Sequence, residues 1–252
     1  MEPAGIPDPR PGGGIAAIHQ PEAFPWLGFF DKWRQSGCFI LLDHVPFEKN
    51  YVQNRNRIRI PTARGWSWLT IPVRIKGRSG QPICEVEIHS ATDWRRKHLE
   101  ALKTAYARTP HFDEYWPFLQ AHYAVPWERL ADFNAALIGW IAGQLGLHRN
   151  VLRSSSMGAA GSRSELLLNL CRKAGATEYL SGVSGRAYLD TGLFAQAGIT
   201  VRFQEFHHPV YRQRYEPFIP ALSTLDLLFN HGPDSRRILQ DAATPRLASV
   251  FV

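Results

Sequence analysis

Few cysteines and no long apolar runs are present in this chain. Its three cysteines, at positions 38, 84 and 171, lie far apart and form no C-x-x-C pair, so neither a disulfide framework nor a zinc ribbon is indicated. No apolar stretch approaches the roughly 20 residues that span a bilayer, and the N-terminus lacks the apolar core of a signal peptide. These absences predict a protein of the reducing cytoplasm without a membrane span.

Sequence motifs of several common catalytic and metal sites are also missing. The chain has no G-x-x-x-x-G-K-[ST] phosphate loop, no G-x-G-x-x-G dinucleotide fingerprint and no G-x-S-x-G nucleophile turn. It also lacks H-E-x-x-H and H-x-x-x-H pairs, so no metal site is indicated. We therefore expect no metal and no resident cofactor; a nucleotide or a carrier-bound donor would enter only as a substrate.

Composition and charge are those of a folded protein with anionic partners. Hydrophobic residues make up 44% of the 252 and charged residues 20%, as in globular proteins. The formal net charge of +7 favours a small-molecule or carrier-bound anionic substrate. Nucleic acid is not expected as a partner, because no recognised module or basic helix accompanies the charge. A basic solvated surface without a specific partner is the simpler alternative.

The chain is expected to form one domain with two irregular ends. Pro and Gly residues are frequent in positions 1–14 and predict a disordered leader there. Residues 15–240 are long enough for one α/β domain, and helical patterns at about 93–146 predict a helical subdomain within it. Residues 241–252 are expected to form a loose C-terminal tail.

Short apolar runs alternate with helical patterns at both ends of that domain. The runs "GIAAIHQ" and "CFILLDHV" predict buried strands with a helix within 24–36 between them, and "TEYLSG" and "ITVRFQEF" predict two later strands. In between, "NRIRIPTARGWSWLTIPVRI" predicts a hairpin that turns near Gly65, with "CEVEIH" as a third strand beside it. We therefore predict an α/β fold: a mostly parallel, Rossmann-like sheet flanked by helices, with a β-hairpin or meander insertion and a helical subdomain.

Polar residues follow each of the predicted parallel strands. Ligands of open parallel sheets bind at the carboxyl ends of the strands, and we expect the groups at these ends to meet in one crevice. The alternative is that Gln20 and Asp43 cap helices or bind loop amides. The polar groups at the predicted strand ends are His19, Gln20, Asp43, His44, Ser181, Gly182, His207 and His208.

Two further stretches carry groups that suit an anionic ligand. In "QNRNRI", alternation places Asn54 and Asn56 on one face of a strand and the arginines, including Arg55, on the other; an exposed basic strand is the alternative. In "YLSGVSGRAY", a strand end, two glycines and two serines, one of them Ser184, precede a helix start, where backbone amides attract anions. A plain turn between strand and helix explains that pattern equally simply.

The stretch "HHPVYRQRYEPFIPALSTLDLL" contains paired histidines and a helix start. Ser223 and Asp226 have the spacing of an N-cap and its N3 partner. His207 and His208 are adjacent, so in a strand they point to opposite faces and do not bind one metal together.

These stretches together resemble the WbqC-like protein family. The resemblance is carried, in order, by "IHQPEAFPWLGFFDKW", "FILLDHVPFEKNYVQNRNRI", "WSWLTIPV", "GATEYLSGVSGRAYLD", "ITVRFQEFHHPVY" and "FIPALSTLDLLFNHG", from about residue 15 to 240. His44 stands where the family often has a second acid after Asp43. The family pattern falls on Gln20, Pro21, Pro25, Gly28, Asp43, Lys49, Asn54, Arg55, Asn56, Gly185, Tyr188, Ser223 and Asp226.

The resemblance implies a cytoplasmic bacterial biosynthetic role in surface polysaccharide, O-antigen in particular, or in natural products. The expected reaction is a transfer to or from an amino sugar or a carrier-bound acyl or aminoacyl group. Asp43 is the expected general base or amine-orienting carboxylate, assisted by His19 or His208. Lys49 and Arg55 are expected to hold a phosphate of the donor. The other expected substrate-binding residues are Gln20, Asn54, Asn56, Ser184, Tyr188, Ser223 and Asp226.

Two other functions remain open from the sequence. The strand–turn–helix–strand opening is broadly similar to that of nucleotidylyltransferase-like enzymes, although their H-x-G-H histidines are missing; this is a fold analogy alone. The third reading is a non-catalytic binding partner of the glycan machinery, which would tolerate the loss of Asp43.

Overall fold

The computed structural model describes residues 14–148 and 150–242. The expected leader up to residue 13 and the expected tail from residue 243 lie outside the described residues. Among the described helices, none is long and apolar enough to cross a membrane. The elements are β1 (Gly14–His19), α1 (Leu27–Arg34), β2 (Cys38–Leu41), β3 (Arg55–Arg59), β4 (Trp66–Thr70), α2 (Trp94–Tyr106), α3 (Phe112–Ala124), α4 (Leu130–Gln144), β5 (Asn150–Arg153), α5 (Arg163–Lys173), β6 (Ala176–Ser181), α6 (Thr191–Gln196), β7 (Thr200–Phe203), α7 (Thr224–His231) and α8 (Ser235–Asp241).

The chain divides into two compact units, which are described separately. Unit 1 consists of residues 14–19, 32–42 and 150–205. Unit 2 consists of residues 20–31, 43–148 and 206–242. Helices α2 to α4, which occupy the expected helical subdomain at 93–146, belong to unit 2 together with the β3–β4 hairpin.

Unit 1 contains the parallel sheet that the apolar runs predict. Five parallel strands lie in the order β5-β2-β1-β6-β7, with Ala17 beside Phe39 of β2 and Leu180 of β6. These residues are fully buried, as in parallel strands covered on both faces. The predicted α/β class with a mostly parallel sheet is therefore confirmed.

Strand β5 was not predicted. Its four residues, 150–153, lie between the predicted helical subdomain and the next predicted strand, and strand β2 pairs with it in parallel along its whole length. A short edge strand of this kind has no internal pattern that marks it, because its extended form depends on hydrogen bonds to a neighbour.

Unit 2 contains the predicted hairpin and an aromatic core. Strands β3 and β4 pair antiparallel, and the turn uses Gly65 at φ +74, a conformation that favours glycine. Buried rings from three helices pack together in the core: Tyr106 stacks on Phe229 at 4.8 Å, and Phe112 stacks on the same ring at 5.6 Å. The periodic apolar positions of α2, α3 and α7 therefore face one another.

The predicted third strand beside the hairpin is wrong. The stretch "CEVEIH" begins in a 3-10 turn, Ile83–Glu85, and contributes only isolated bridges. Its alternating apolar residues are buried against α4, since Leu130 N donates to the Val86 carbonyl at 2.9 Å and Ile88 N to that of Glu128 at 2.8 Å. Burial on one side thus produced a strand-like pattern without a strand.

Candidate functional site

The carboxyl edge of the parallel sheet in unit 1 has a topological switch point. From β1, the sheet extends through β2 to β5 on one side and through β6 to β7 on the other. Ligands of open α/β sheets bind outside the strand ends at such a point. His19 ends β1 and Ser181 ends the neighbouring strand β6, so both residues lie at this edge.

The loop after β6 is packed tightly at its base and open at its surface. Gly185 is buried, and a Cβ added there would lie 2.1 Å from Ser181 Oγ. Its carbonyl accepts hydrogen bonds from the amides of Tyr188 at 3.1 Å and Leu189 at 2.9 Å. Ser184 and Tyr188 are exposed, Tyr188 to 61%. Their predicted substrate-binding role stays a prediction, at the edge where a sheet of this topology binds ligands.

Lys32 is a buried charge next to the same edge that sequence reasoning missed. Its side chain is 3% exposed, and Nζ donates a 2.7 Å hydrogen bond to the Ile18 carbonyl, one residue before His19. The signal was a lysine, next to Asp31, within the aromatic-rich helical run "LGFFDKW". Buried lysines are rare unless they are paired, so this one points to a specific local task.

The cysteines of unit 1 are unsuited to nucleophilic work. Burial raises the pKa of Cys38, and burial together with the nearby Cys38 thiol raises the pKa of Cys171 to about 12. Because the thiolate is the reactive form, both groups stay protonated and unreactive at neutral pH.

In unit 2, Gln20 belongs to a network that fixes the segment around residue 53. Gln53 Nε2 donates to Gln20 Oε1 at 2.9 Å, and Gln53 Oε1 accepts from Glu48 N at 2.8 Å. Asn134 Nδ2 donates to two backbone carbonyls, those of Pro21 at 3.0 Å and Gln53 at 2.8 Å. Asn134 on α4 was not predicted as part of any site.

Asp43 lies at the start of this same region and is completely buried. Its side chain has no exposed surface, and its carbonyl accepts from Cys84 N at 2.7 Å. A general base must reach the proton it removes, so the described conformation gives Asp43 no access to a dissolved substrate. Its catalytic role stays a prediction.

The side-chain amides of the hairpin lie on one face of strand β3 and its arginines on the other, as the alternation predicts. Asn54 Nδ2 donates to the Ile71 carbonyl at 3.0 Å, and Asn56 Nδ2 donates to the Phe24 carbonyl at 2.9 Å. Both amides are buried and hold the backbone. Arg55 lies over the ring of Trp68 at 4.3 Å, and Lys49 is exposed.

Ser223 and Asp226 have different tasks at the start of α7. Ser223 is the predicted N-cap, and its side chain accepts from Leu225 N at 3.3 Å. The expected reciprocal role of Asp226 in that cap is wrong, because the Ser223 amide donates instead to the Arg57 carbonyl at 2.8 Å. Asp226 Oδ2 accepts from Tyr211 Oη and Gln213 Nε2, each at 3.0 Å.

The carboxyl group of Asp226 is strongly perturbed. Burial raises its pKa to about 6, although hydrogen bonds from Tyr211, Tyr106 and Gln213 and the charge of Arg59 lower it in part. Burial, together with the negative charge of Asp226, raises the pKa of Tyr211 well above its usual value. A carboxyl group with such a pKa takes up or releases a proton near neutral pH.

His208 lies within a group of aromatic rings, which we call the His208 cluster: Trp26, Phe206, His208, Tyr211 and Phe218. Trp26 stacks on the imidazole with ring centroids 6.4 Å apart at 15°, and Phe206, Phe218 and Tyr211 lie at 5.8 to 6.1 Å. His208 is not in a strand, because β7 ends at Phe203. The prediction of a strand ending near the two histidines is therefore wrong.

The hydrogen bond of His208 defines its tautomer. Nδ1 lies 2.9 Å from the Pro209 carbonyl, which can only accept, so Nδ1 carries the proton and Nε2 of the neutral ring carries a lone pair. Burial lowers the pKa of His208, partly opposed by this hydrogen bond. The half-buried imidazole is thus held in the neutral, proton-accepting form.

Trp26 and Tyr211 complete the cluster and were not predicted as site residues. Gly28 makes room for Trp26, since a Cβ at Gly28 would lie 2.3 Å from the indole ring. Tyr211 connects the cluster to the interior, because its ring faces His208 and its hydroxyl binds Asp226. No local pattern marks either residue, although the aromatic-rich stretches around them were visible.

The structure therefore brings together three of the predicted residues, His208, Ser223 and Asp226, in one part of unit 2. Trp26 forms a bridge to Ser223 through the backbone, and Thr224 N donates to the Pro25 carbonyl at 2.8 Å. His19, Ser184 and Tyr188 belong to unit 1 and the remaining residues to unit 2. One crevice shared by all of them stays a prediction.

Comparisons with known proteins give a family and no activity. The model of the WbqC-like protein family matches residues 20–238. An uncharacterized protein of Mycobacterium tuberculosis, Rv1507c, is 37% identical over 221 residues, which cover 87% of this chain and 94% of that protein. No solved structure gives a significant match.

Proposed function

The chain belongs to the WbqC-like protein family, and we propose that it is a biosynthetic transferase in which His208 is the general base. The acceptor would be an amino sugar or a related amine, and the donor a carrier-bound acyl or aminoacyl group. Its setting would be surface-polysaccharide, O-antigen or natural-product biosynthesis. The observation that carries the proposal is the neutral imidazole of His208, which donates through Nδ1 and lies among aromatic rings.

The chemistry follows from the state of the imidazole. The nitrogen of the acceptor amine attacks the carbonyl carbon of the donor, and Nε2 of His208 takes up the proton that this nitrogen loses. The bond from that carbon to the carrier then breaks, and the carrier leaves with the electron pair and receives the proton from the imidazolium. A lowered pKa keeps His208 ready to accept a proton at neutral pH.

The rings around His208 suit a bound sugar or acyl group. Trp26 and Phe218 offer apolar faces beside the imidazole, and ligand pockets are lined mainly by such rings with a few polar groups. Tyr211 is fixed by its bond to Asp226. Asp226 is therefore a positioning residue that acts through Tyr211.

Turnover by purified full-length protein tests the proposal. Amino sugars and their nucleotide-linked forms would be combined with acyl and aminoacyl thioesters, and products identified by mass spectrometry. We expect His208→Gln to lower turnover by a factor of about 10² to 10⁴, the usual contribution of a general base. His207→Gln is the matched control, since His207 is exposed and next in sequence.

Three results would contradict the proposal. The first is full turnover by the His208→Gln variant, and the second is a rate that does not fall as acid protonates His208. The third is tight binding of an amino sugar without turnover of any donor, which favours the non-catalytic binding partner.

A nucleotide-dependent enzyme is the second candidate, and a specific feature of unit 1 favours it. The strand order β5-β2-β1-β6-β7 has its switch point between β1 and β6, the position at which Rossmann-like sheets bind nucleotides. Calorimetry with nucleoside triphosphates tests this candidate. Heat of binding that disappears in Ser184→Tyr supports it, and the lack of any heat contradicts it.

A further inference from the structure

The positive charge of this protein is concentrated in one segment. Residues 49–84 contain eight basic residues and no Asp or Glu. Subtracting these eight from the 29 basic residues leaves 21, against all 22 acidic residues, in the other 216 positions. The rest of the chain is therefore nearly neutral, and the net charge of +7 originates in the segment that contains the β3–β4 hairpin.

The outer face of the hairpin alternates arginines and tryptophans. Arg59 belongs to this face but is buried and donates to the Tyr215 and Pro217 carbonyls. We call the other five residues the Arg–Trp ladder: Arg55, Arg57, Arg64, Trp66 and Trp68. Arg55 lies over Trp68 at 4.3 Å, while Arg64 and Arg57 lie over Trp66 at 3.6 and 5.2 Å. The two indoles meet edge to face at 5.4 Å. The inner face carries Ile58 and Leu69, both buried.

The cations of the ladder have no carboxylate partner in the described part of the chain. Their contacts are to indole rings and to backbone carbonyls, from Arg55 to Asn50 and from Arg57 to Ala221 at 3.0 Å. By contrast, Arg78 in the same segment pairs with Glu87 at 3.0 Å. A guanidinium that stacks on a ring through its face keeps N–H donors at its edge for an anion.

The ladder is also accessible. Trp68 is 38% exposed, Arg64 is exposed, and Arg55 and Arg57 are half-buried. Arg55 binds the Asn50 carbonyl, which brings the loop with exposed Lys49 and the 51% exposed ring of Tyr51 next to the ladder.

The arrangement of the ladder distinguishes between anionic partners. The Cα atoms of arginines two residues apart on a strand lie about 7 Å from each other, so Arg55 and Arg57 are anchored in a row along β3. Guanidinium groups already lie over both indoles, which leaves little ring surface for nucleic-acid bases to stack on. Exposed Trp and Tyr rings beside cations are typical of surfaces that contact lipid headgroups.

We propose that the Arg–Trp ladder is a docking surface for an anionic lipid bilayer. The arginines and Lys49 contact headgroup phosphates, and the edges of Trp68 and Tyr51 enter the interface. The protein binds there peripherally and reversibly, since a few cations and rings contribute far less than a membrane-spanning helix. This inference does not depend on the transferase proposal.

Co-sedimentation of the full chain with vesicles tests the proposal. Phosphatidylcholine vesicles with about one third phosphatidylglycerol are compared with pure phosphatidylcholine at low and physiological salt. We expect binding to the anionic vesicles alone, weakened by salt. The Arg55→Gln/Arg64→Gln double variant should bind roughly 30-fold more weakly, and Arg64→Gln alone roughly 5-fold, from the usual contribution of a cation at such a surface.

The matched control is Arg172→Gln/Lys173→Gln, which removes two exposed charges from the end of α5. It should retain nearly all the binding of the wild type. Arg64→Gln keeps the test valid if the double variant folds poorly, because Arg64 is exposed. Circular dichroism checks that each variant is folded.

Three outcomes would overturn the proposal. Wild-type protein that stays in solution with anionic vesicles at low salt shows that the ladder does not dock. Equal losses in the ladder and control variants show that net charge alone causes binding. Tighter binding to single-stranded RNA than to vesicles, lost in the ladder variants, assigns the surface to nucleic acid.

Discussion

Asp226 should make the stability of the protein depend on pH. Its pKa is about 6 in the folded protein, mainly through burial, against an ordinary value of 3.8. A carboxyl group with a raised pKa favours the folded state while it is protonated in both states, below about pH 4. This contribution is lost as pH rises through the folded pKa. A difference of about two pKa units corresponds to about 3 kcal/mol in the free energy of unfolding.

The Asp226→Asn variant isolates this contribution. Asparagine keeps the shape of the side chain and an oxygen that accepts from Tyr211, but it does not ionise. Relative to the variant, wild-type protein should therefore lose about 3 kcal/mol between pH 4 and pH 8. Urea unfolding at a series of pH values, followed by tryptophan fluorescence, measures this difference.

A matched control separates the local effect from general charge effects. Asp113→Asn removes a carboxyl group that is exposed at the start of α3, and so reports the effect of one lost negative charge. If the free-energy difference between wild type and Asp226→Asn stays constant from pH 4 to pH 8, the inferred pKa of Asp226 is wrong. If the free energy of unfolding of wild type instead rises with pH relative to that of Asp226→Asn, the sign of the predicted effect is wrong.

Three other consequences of the structure are directly measurable. Gly185→Ala should lower the free energy of unfolding by about 1–3 kcal/mol, because its Cβ would lie 2.1 Å from Ser181 Oγ; Gly182→Ala, whose Cβ would meet nothing within 4 Å, is the control, and equal effects contradict the explanation. Asn134→Ala leaves two backbone carbonyls without their donor and should cost about 2–5 kcal/mol in urea unfolding; a cost below about 1 kcal/mol contradicts a structural role. Nitrogen-15 NMR at neutral pH should show His208 neutral with the proton on Nδ1, whereas the Nε2 tautomer would exclude the proposed base.

Much of the fold was predictable because its signals are local. The buried runs before His19 and before Leu42 are short, apolar and bounded by turn residues, and they became β1 and β2. Helices α2 to α4 occupy the stretch at about 93–146 in which helical patterns predicted a helical subdomain. Strand β5 was missed because its extended form depends on pairing with β2.

The candidate site was less predictable because its contacts are distant in sequence. His208 meets Trp26 from the opposite end of the chain, and no spacing rule connects the two. The residue type of Asp226 suggested a helix cap, but the buried hydroxyl of Tyr211 determines its actual task. Sequence identified the residues with polar chemistry, whereas packing decided which of them face a ligand.

That distinction has a consequence for how substitutions in this family are interpreted. Asn56 and Ser223 match the family pattern, yet both are buried and satisfy backbone groups. Their replacement should lower stability first and activity only as a result. Tyr188 and Lys49 match the same pattern but are exposed. Their side chains therefore contribute little to the stability of the fold, which does not explain why these residue types occur there. Loss of activity with unchanged unfolding free energy in Tyr188→Phe or Lys49→Gln would therefore mark contact with a ligand, whereas the same activity loss in Asn56→Ala would not.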